Sequence, residues 1–365
     1  MSRRKQLKKR TSRKKLKRRP RQTKPKTRRK KPKVGSRRKK VSPLLAAPEI
    51  TDHYSDSALV TAFHGDCVDL LAQVPDNAIQ LVLTSPPYNI GKKYEKRLSI
   101  DEYYDQQERV ITECVRGLSP TGSLCWQIGN HVVSNSIIPL DILLFPIFEK
   151  LGLVLRNRII WHFEHGLHCA NRLSGRYETI LWFTFPNKNY TFNLDAVRVP
   201  QKYPGKRYYK GPKAGQFSAN PLGKNPGDVW IIPNVKHNHV EKTEHPCQFP
   251  SELAERLILA LTNEGDLVVD PFMGAGSTLV AALMNKRRSA GADIVKRYVS
   301  ITKKRLDAAD DGTLRVRPRN RPVYTPRGSI TLAPWNQIGS AVPDGNRACG
   351  CDTASRARMV DEVKR

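Results

Sequence analysis

Residues 266–293 constrain the fold most strongly, because they contain a strand, a glycine-rich turn, a helix and a second strand in succession. The apolar run LVV ends at Asp270, and the turn PFMGAGS follows it with glycines at 274 and 276. Glycine permits tight turns and close approach of the backbone to a ligand. The helix TLVAALMNKR leads to the strand SAGADIV, which carries Asp293. Open α/β sheets bind ligands at the carboxyl ends of such strands.

The spacing of this unit predicts the kind of ligand. An acid about 20 residues after a glycine turn matches the ribose-binding carboxylate of nucleoside-binding units. A phosphate-binding loop would need a lysine after Gly276, but Ser277 and Thr278 follow it. A nicotinamide-dinucleotide fingerprint would need a third small residue where Leu279 stands. The prediction is therefore a nucleoside cofactor without a pyrophosphate.

A second motif, LTSPPYN at residues 83–89, follows the buried strand pattern IQLVL. Pro86 and Pro87 lack an N–H and restrict the residues before them, so the chain leaves the sheet as a stiff segment. Its carbonyl groups then face a fixed place, with Tyr88 beside them as a flat surface. An ordinary exit from a strand is the alternative for this motif taken alone.

Strand and helix patterns alternate through the body of the chain, which favours an α/β fold with a mostly parallel sheet. Between residues 187 and 244 the pattern gives way to a long segment rich in Gly, Pro, Lys and aromatic residues. Long irregular segments are often functional. We therefore expect a folded body over residues 46–310 with an insertion at 187–244, and a loosely ordered Pro/Arg-rich tail over 311–365.

Charge is concentrated at one end. The first 40 residues hold 24 Lys and Arg and no Asp or Glu, which leaves +7 of the net charge of +31 for the rest. Residues 1–45 are thus expected to be a disordered polybasic arm whose partner is a polyanion. An address signal or a solubilising tail is the alternative.

The apolar content limits the cellular setting. No stretch reaches the roughly 18 apolar residues of a membrane span, and the charged start lacks the apolar region of a secretory signal. The seven cysteines are scattered and odd in number, which favours free thiols in a reducing compartment. We expect a cytoplasmic protein that has no membrane partner.

Together, the two motifs resemble those of the DNA amino-methyltransferases, which use S-adenosylmethionine to methylate cytosine N4 or adenine N6. The resemblance covers about residues 60–310 and has the motif order of the β group. It implies a catalytic role for Ser85, Pro86, Pro87 and Tyr88. It also implies cofactor contacts for Asp66, Cys67, His245, Asp270, Phe272, Gly274, Gly276, Ser277 and Asp293. The family acid at the ribose is usually Glu, so Asp293 is one methylene shorter.

The resemblance further implies a Rossmann-like class I methyltransferase fold: a seven-stranded, mostly parallel sheet with an antiparallel last strand and helices on both faces. The 187–244 insertion would be the target-recognition region, and double-stranded DNA the partner. A nucleoid-associated protein of a prokaryote or phage is also implied, while a homodimer and a functionally linked restriction endonuclease stay open. Neither a metal nor a covalent intermediate is needed for this chemistry.

The chemistry expected is capture of a flipped base. Ser85 Oγ and the Pro86 carbonyl would accept the two N–H bonds of the exocyclic amine, and Tyr88 would stack on the base. Ser at this place is commoner among cytosine N4 enzymes and Asp among adenine N6 enzymes, so cytosine N4 is favoured and adenine N6 is the alternative.

Several other interpretations compete with these. Cys247 follows a proline, as does the nucleophile of enzymes that methylate carbon 5 of cytosine, but the motif order here is the reverse. A zinc site could use His162, His165, His168 and Cys169. In the insertion, base stacking and phosphate contact could use Tyr203, Tyr208, Tyr209, Phe217 and Trp230 with the lysines and Arg207 between them. Methylation of RNA or protein glutamine, or a non-catalytic binder, are the alternatives to a DNA methyltransferase.

Overall fold

A computed structural model describes residues 50–91, 97–133, 136–164, 166, 168–186 and 188–322. Within these residues a nine-stranded sheet forms the centre of the fold. Its strands are β1 (Ile50–Thr51), β2 (Val60–His64), β3 (Ile79–Thr84), β4 (Leu118–Ile128), β7 (Val154–His162), β8 (Tyr177–Thr184), β9 (Val229–Ile231), β10 (Leu267–Asp270) and β11 (Arg288–Asp293). A separate hairpin pairs β5 (Asn130–Val133) with β6 (Ser136–Pro139). The polybasic arm, most of the tail and His165 lie outside the described residues.

The sheet order is β1-β2-β11-β10-β3-β4-β8-β7-β9. All neighbouring pairs are parallel except those that β8 makes with β4 and β7. The predicted class I methyltransferase fold is confirmed, with two differences in detail. Short edge strands, β1 and β9, raise the strand number from seven to nine. The antiparallel strand is β8, which lies inside the sheet and precedes β9, β10 and β11 in the chain. Strand β8 follows β7 directly and pairs with it, and an antiparallel pair of this kind needs no crossover helix.

The helices are α1 (Cys67–Gln73), α2 (Ile100–Gly117), α3 (Leu140–Lys150), α4 (Leu194–Val197), α5 (Ser251–Leu261), α6 (Ser277–Met284) and α7 (Lys296–Asp310). Alternate residues of β3 show how they cover the sheet. Val82 packs in one buried cluster with residues of α1, α2 and α3, whereas Leu81 and Leu83 pack in another with residues of α5 and α6. Helices therefore cover both faces, as predicted. No helix among the described residues is long and apolar enough to cross a membrane.

The start of α2 has a local cause in the sequence. Ser99 caps this helix, and its hydroxyl accepts a hydrogen bond from the Glu102 N–H at 3.2 Å. In return, the Ser99 N–H donates to Glu102 Oε2 at 2.8 Å. This reciprocal pair satisfies two N–H groups that the helix itself cannot satisfy, and it begins α2 directly after the segment that follows β3.

The described part of the 187–244 segment, residues 188–244, contains little regular structure beyond α4 and β9. Strand β9 pairs in parallel with β7, with Trp161 opposite Trp230, and so extends the sheet at that edge. Isolated bridges between Val199 and Lys224, and between Arg207 and Phe217, connect parts of the segment. The described part of this insertion therefore adds its one strand to the edge of the sheet at β7.

Contacts with the body continue past residue 310, where the sequence predicted a loosely ordered tail. Leu314 packs on the cluster formed by β2, α6 and α7. The Arg317 guanidinium donates to the buried Glu252 carboxylate, and the Asn320 N–H donates to Glu252 Oε1 at 2.9 Å. Among the described residues, these contacts extend the packed body at least to residue 320.

Candidate active site

A cavity of about 810 Å³ opens where β3, β10 and β11 end. The sequence-predicted residues that line it are Asp66, Cys67, Ser85, Pro86, Pro87, Tyr88, His245, Phe272, Gly274, Ser277 and Asp293. Because parallel strands present their carboxyl ends at one edge of a sheet, motifs almost 200 residues apart in sequence meet there. Asp270 and Gly276, which were predicted with them, lie behind this lining.

The glycine turn between β10 and α6 forms one wall. Gly274 and Gly276 have φ angles of +50° and +72°, in the region that residues with a side chain rarely adopt. A Cβ on Gly274 would lie 2.9 Å from His245 Nε2, and one on Gly276 would lie 2.5 Å from Thr302 Cγ2. The Thr302 hydroxyl donates to the Gly274 carbonyl at 2.9 Å. Backbone geometry and crowding both require glycine at these two positions.

Asp270, the last residue of β10, is fully buried beneath this turn. Its Oδ1 accepts hydrogen bonds from Thr84 Oγ1 at 2.6 Å and from the Phe272 N–H at 3.1 Å. Its Oδ2 accepts one from Thr278 Oγ1 at 2.6 Å. Burial raises the pKa of Asp270 to about 6, against the opposing effect of these hydrogen bonds. The side chain thus ties together the ends of β10 and β3 and the start of α6.

Asp293 ends β11 and faces the cavity. Its Oδ1 accepts a hydrogen bond from the Val295 N–H at 2.7 Å, and its carbonyl accepts one from the Gly65 N–H at 3.2 Å. Burial raises the pKa of Asp293 to about 6. At neutral pH this position presents an ionised acceptor suited to hydroxyl donors.

Asp66 and Cys67 line the cavity from the start of α1. Asp66 caps this helix, since its Oδ1 accepts from the Val68 N–H at 2.9 Å, and its Oδ2 lies 3.7 Å from Arg109 Nη2. Cys67 is buried, and burial raises the pKa of its thiol to about 12. Cys67 therefore contributes a neutral, weakly polar surface.

His245 and Ser277 line the cavity beside the glycine turn. The His245 ring makes an edge contact with Tyr298, with ring centroids 4.4 Å apart. Burial lowers the pKa of His245 to about 4, so the ring is neutral at physiological pH. Ser277 is buried, and its hydroxyl donates to the Phe249 carbonyl at 2.8 Å. His245 thus joins the turn to α7, and Ser277 joins it to the segment before α5.

The segment after β3 forms the opposite wall. The Tyr103 hydroxyl donates to the Pro87 carbonyl at 3.0 Å. Asn89 has a φ of +57°; its side chain donates to the Leu98 carbonyl at 2.8 Å and accepts from the Leu98 N–H at 2.7 Å. These contacts fix the chain at Pro87 and at Asn89, on either side of Tyr88, so the tyrosine is presented from a stiff support.

A polar network surrounds the Tyr88 hydroxyl. Ser85 Oγ lies 3.1 Å from Tyr88 Oη. Tyr88 donates to Glu178 Oε2 at 3.1 Å, while Gln127 Nε2 donates to Tyr88 Oη at 2.8 Å and also to Glu178. Gln127 and Glu178 were not predicted from the sequence. The available signal was weak: one amide and one acid beside long apolar runs, in strands β4 and β8.

The tyrosine ring itself is seated on Gly129. A Cβ there would lie 2.9 Å from Tyr88 Cε2 and 3.4 Å from Glu178 Cγ. A residue with a side chain at 129 would therefore displace the Tyr88 ring. Gly129, which follows β4 directly, is the residue that lets the aromatic wall of the cavity approach the sheet closely.

Two competing interpretations, a nucleophilic Cys247 and a zinc site, can be compared with the structure. Cys247 is exposed and lines the same cavity. Within the described residues, which leave out His165, no group of three His, Cys, Asp or Glu side chains could hold a metal ion.

The aromatic residues of the insertion divide into two groups. Tyr203, Tyr208, Tyr209 and Phe217 are exposed, and the Arg207 guanidinium stacks 4.0 Å from the Phe217 ring centre. Trp230 is only 6% exposed and packs in the core below β7, so including it among base-stacking residues was wrong. Its place in β9 explains the burial, because that strand pairs with the sheet.

Comparison with known proteins adds family information to this geometry. A family model described as DNA methylase matches residues 79–304. A type II methyltransferase of Bacillus subtilis, M.BglII, is 49% identical over 250 residues, which cover 68% of this chain and 69% of that protein. The DNA adenine methyltransferase YhdJ of Escherichia coli strain K12 is 34% identical over 257 residues, covering 68% of this chain and 83% of that protein.

Among solved structures, the cytosine-N4-specific PvuII DNA methyltransferase superposes with a TM-score of 0.54. The match covers 69% of this chain and 91% of that one, at 21% sequence identity. This likeness shows the common fold.

Proposed function

Since the chain belongs to the family of N6- and N4-specific DNA methylases, we propose that its cavity methylates the N4 amino group of cytosine in duplex DNA. The chain is an S-adenosylmethionine-dependent DNA methyltransferase of the type found in restriction–modification systems. The proposed methylation of a base amino group in this cavity rests on one observation: the Ser85–Tyr88 segment, the glycine turn and Asp293 all line the same cavity.

The residues present fit the cofactor. The volume lies within the range of small-molecule sites and has room for a nucleoside beside a base. Asp293, ionised at neutral pH, would accept hydrogen bonds from ribose hydroxyls, and Asp66 and Cys67 would contact the adenine end. Gly274 and Phe272 would lie along the methionine end. Bound S-adenosylmethionine supplies an electrophilic methyl group on a sulfonium sulfur.

Four predicted cofactor residues would act by shaping this wall. Asp270 is bonded to Thr84 and Thr278 beneath the turn, and Gly276 supplies the left-handed backbone that begins α6. His245 and Ser277 would brace the turn through Tyr298 of α7 and through Phe249, which precedes α5. We assign these four residues to positioning, whereas Asp293 is assigned to direct contact.

The opposite wall would hold the target base. An exocyclic amine is a poor nucleophile because its lone pair is delocalised into the ring. Acceptors at Ser85 Oγ and the Pro86 carbonyl would hold both N–H bonds and direct the lone pair toward the methyl group. The base must leave the duplex to reach this depth, and Tyr88 would stack on it. Placement of this kind supplies much of the rate.

The choice of cytosine N4 rests on Ser85, a hydroxyl acceptor where a carboxylate would favour adenine. Adenine N6 is the second candidate, because the relative YhdJ, 34% identical, carries the name of an adenine methyltransferase. Residues 187–244 would read the DNA, with exposed Tyr208 and Tyr209 among basic side chains. Residues 46–310 would form most of the catalytic domain. The setting implied is a bacterial cytoplasm, with a restriction endonuclease as functional partner.

The test is mass spectrometry of nucleosides from unmethylated duplex DNA incubated with the protein and methyl-labelled S-adenosylmethionine. Label in N4-methylcytosine is expected. Label in N6-methyladenine would make adenine the target base and would leave the proposed mechanism unchanged. Label in 5-methylcytosine would bring Cys247 forward, and no label in DNA would favour RNA or protein substrates.

A further inference from the structure

Glu178 is an acidic side chain in the cavity, outside both motifs. It is the second residue of β8, and it lies opposite Trp161 in the register with β7. Because β8 runs against the other strands of the sheet, its first residues lie at the edge where β3 and β4 end. The antiparallel strand therefore brings a carboxylate to the Ser85–Tyr88 segment.

The hydrogen bonds around Tyr88 fix which atoms donate. An ionised carboxylate only accepts, so Tyr88 must use its single hydroxyl hydrogen toward Glu178 Oε2. Tyr88 Oη then accepts from Gln127 Nε2, at 2.8 Å. With its hydrogen committed, Tyr88 Oη can only accept at its contact with Ser85 Oγ, which lies 3.1 Å away. Ser85 must donate there, and its lone pairs are left for an incoming N–H group.

The geometry points to Glu178 as a positioning residue and the terminal proton acceptor of a relay that runs from Ser85 through Tyr88. This inference rests on the proposed function, since it requires an exocyclic amine at Ser85. Methylation leaves the amine nitrogen with one surplus proton. That proton passes to Ser85 Oγ as the Ser85 proton passes to Tyr88 Oη and the Tyr88 proton passes to Glu178 Oε2.

The relay balances at each atom. The N–H bond of the amine breaks and the O–H bond on Glu178 forms, while Ser85 and Tyr88 each gain one proton and lose one. The net change is a neutral methylated amine and a protonated Glu178. The carboxylic acid returns its proton to water after the product leaves the cavity.

The electrostatic surroundings agree with these roles. Burial raises the pKa of Glu178 to about 7, although hydrogen bonds from Tyr88 and Gln127 oppose the shift. Burial, followed by the Glu178 charge, raises the pKa of Tyr88 well above its usual range, so the phenol keeps its proton. Glu178 is surrounded by Tyr88 after β3, the neutral amide of Gln127 in β4 and Trp161 in β7. The nearby Cys247 thiol makes a small further contribution that raises the pKa of Tyr88. A base with a pKa near the working pH suits proton transfer.

The experiment compares Glu178→Gln with the wild type in single turnover, on unmethylated duplex DNA at saturating cofactor, from pH 5.5 to 9. Ionised Glu178 is required, so the wild-type rate should rise with pH through about 7. Glu178→Gln should be slower by about 100-fold, as for loss of a general base, and its rate should not rise over that range. Glu178→Asp should recover part of the rate together with the pH dependence.

Controls separate this role from a structural one. Glu255→Gln removes a half-buried carboxylate on α5 outside the cavity and should leave the rate unchanged. Cofactor affinity by calorimetry should agree within about two-fold between Glu178→Gln and the wild type, since Glu178 would act on the target amine. The rate of the double variant Glu178→Gln with Tyr88→Phe should be only slightly lower than that of the slower single variant, because both substitutions interrupt the same proton relay.

Three results would overturn the relay: a Glu178→Gln rate within about two-fold of the wild type, a slow variant that keeps the rise with pH, or a loss of cofactor affinity that accounts for the slower rate. These outcomes leave the proposed function standing, because the wild type is active in each. A wild-type protein that labels no amino group in DNA would overturn both the function and the relay.

Discussion

Thr84 donates a 2.6 Å hydrogen bond to Asp270, and this bond joins the last residue of β3 to the last residue of β10. Both side chains are fully buried. Ser85 follows the first residue and the glycine turn follows the second, so this hydrogen bond and the pairing of β3 with β10 together set the spacing between the two walls of the cavity. A shift in either strand end would be felt at both walls.

We expect Asp270→Asn to weaken this junction. The amide has one acceptor oxygen in place of two, so it cannot satisfy Thr84 and Thr278 in the same way, and a loss of about 1–3 kcal/mol of unfolding free energy should follow. Burial raises the pKa of Asp270 in the fold, to about 6, so the carboxyl stabilises the fold most below its unfolded pKa of 3.8 and loses that contribution as the pH rises through 6. The difference in unfolding free energy between wild type and variant, measured by urea unfolding, should therefore become smaller from pH 4 to pH 7. Asp105→Asn, on the exposed side of α2, is the control; a constant gap would contradict this assignment.

Gly276→Ala should reduce both stability and cofactor binding. The new Cβ would meet Thr302 at 2.5 Å with φ at +72°, so either the turn or α7 must move. Gly265→Ala is a matched control, because its φ is +87° and a Cβ there meets nothing within 4 Å. Backbone strain of about 1–2 kcal/mol should be common to both variants. In thermal unfolding, Gly276→Ala should therefore lose more stability than Gly265→Ala. Equal losses of stability in the two variants would mean that the contact with Thr302 is unimportant.

Asp293→Asn should weaken binding of S-adenosylmethionine by about 10-fold or more, the range for losing a charged hydrogen bond to a hydroxyl. Because the pKa of Asp293 is raised to about 6, wild-type affinity should fall as the pH drops below 6 and the carboxyl becomes protonated. The variant should lack this dependence. Calorimetric titration at pH 5, 6 and 8 measures both effects, with exposed Asp307→Asn as the control. Equal affinity in variant and wild type at pH 8 would remove Asp293 from the cofactor site.

Ser85→Ala should lower turnover by at least about 100-fold, because one of the two acceptors for the target amine is lost. Cofactor affinity should stay within about two-fold of the wild type, since Ser85 lies on the opposite wall. Single-turnover methylation and calorimetry together separate the two effects. Ser300→Ala on the exposed side of α7 serves as the control, and unchanged turnover in Ser85→Ala would exclude Ser85 from the chemistry.

Deleting residues 1–40 should lower the affinity for DNA and the steepness of its dependence on salt. The deletion removes 24 positive side chains, which can neutralise phosphates without reading bases. The methylated sequence should stay the same. Affinity measured at several salt concentrations, together with sequencing of methylated sites, tests both statements, and a changed recognition site would assign base reading to the arm.

The sequence predicted those parts of the site that follow strand ends in parallel order. Ser85 follows the end of the buried strand β3 and Asp293 ends β11, so the topology of a parallel sheet is enough to bring them together. Glu178 and Gln127 were missed because their meeting depends on the register between β4 and the antiparallel β8, which pairs Ile128 with Thr179. Local sequence patterns do not fix that register.

Burial also could not be read from the motifs alone. Asp270 belongs to the cofactor motif, yet its carboxylate is turned inward because Thr84 and Thr278 offer buried donors there. Trp230 lies among exposed basic and aromatic residues in sequence, but its strand completes the edge of the sheet. Both outcomes depend on partners distant in sequence.

The pairing of β3 with β10 has a consequence for biosynthesis. The hydrogen bond between Thr84 and Asp270 spans 186 positions, and β10 takes its place between β3 and β11 in the sheet. Contacts of such high sequence separation form late in folding, because a long loop must close first. A ribosome that has made the catalytic segment must still add some 200 residues before the chain can bind its cofactor, which at about 5–20 residues per second takes on the order of ten seconds or more. Until then the nascent enzyme has no means of modifying DNA.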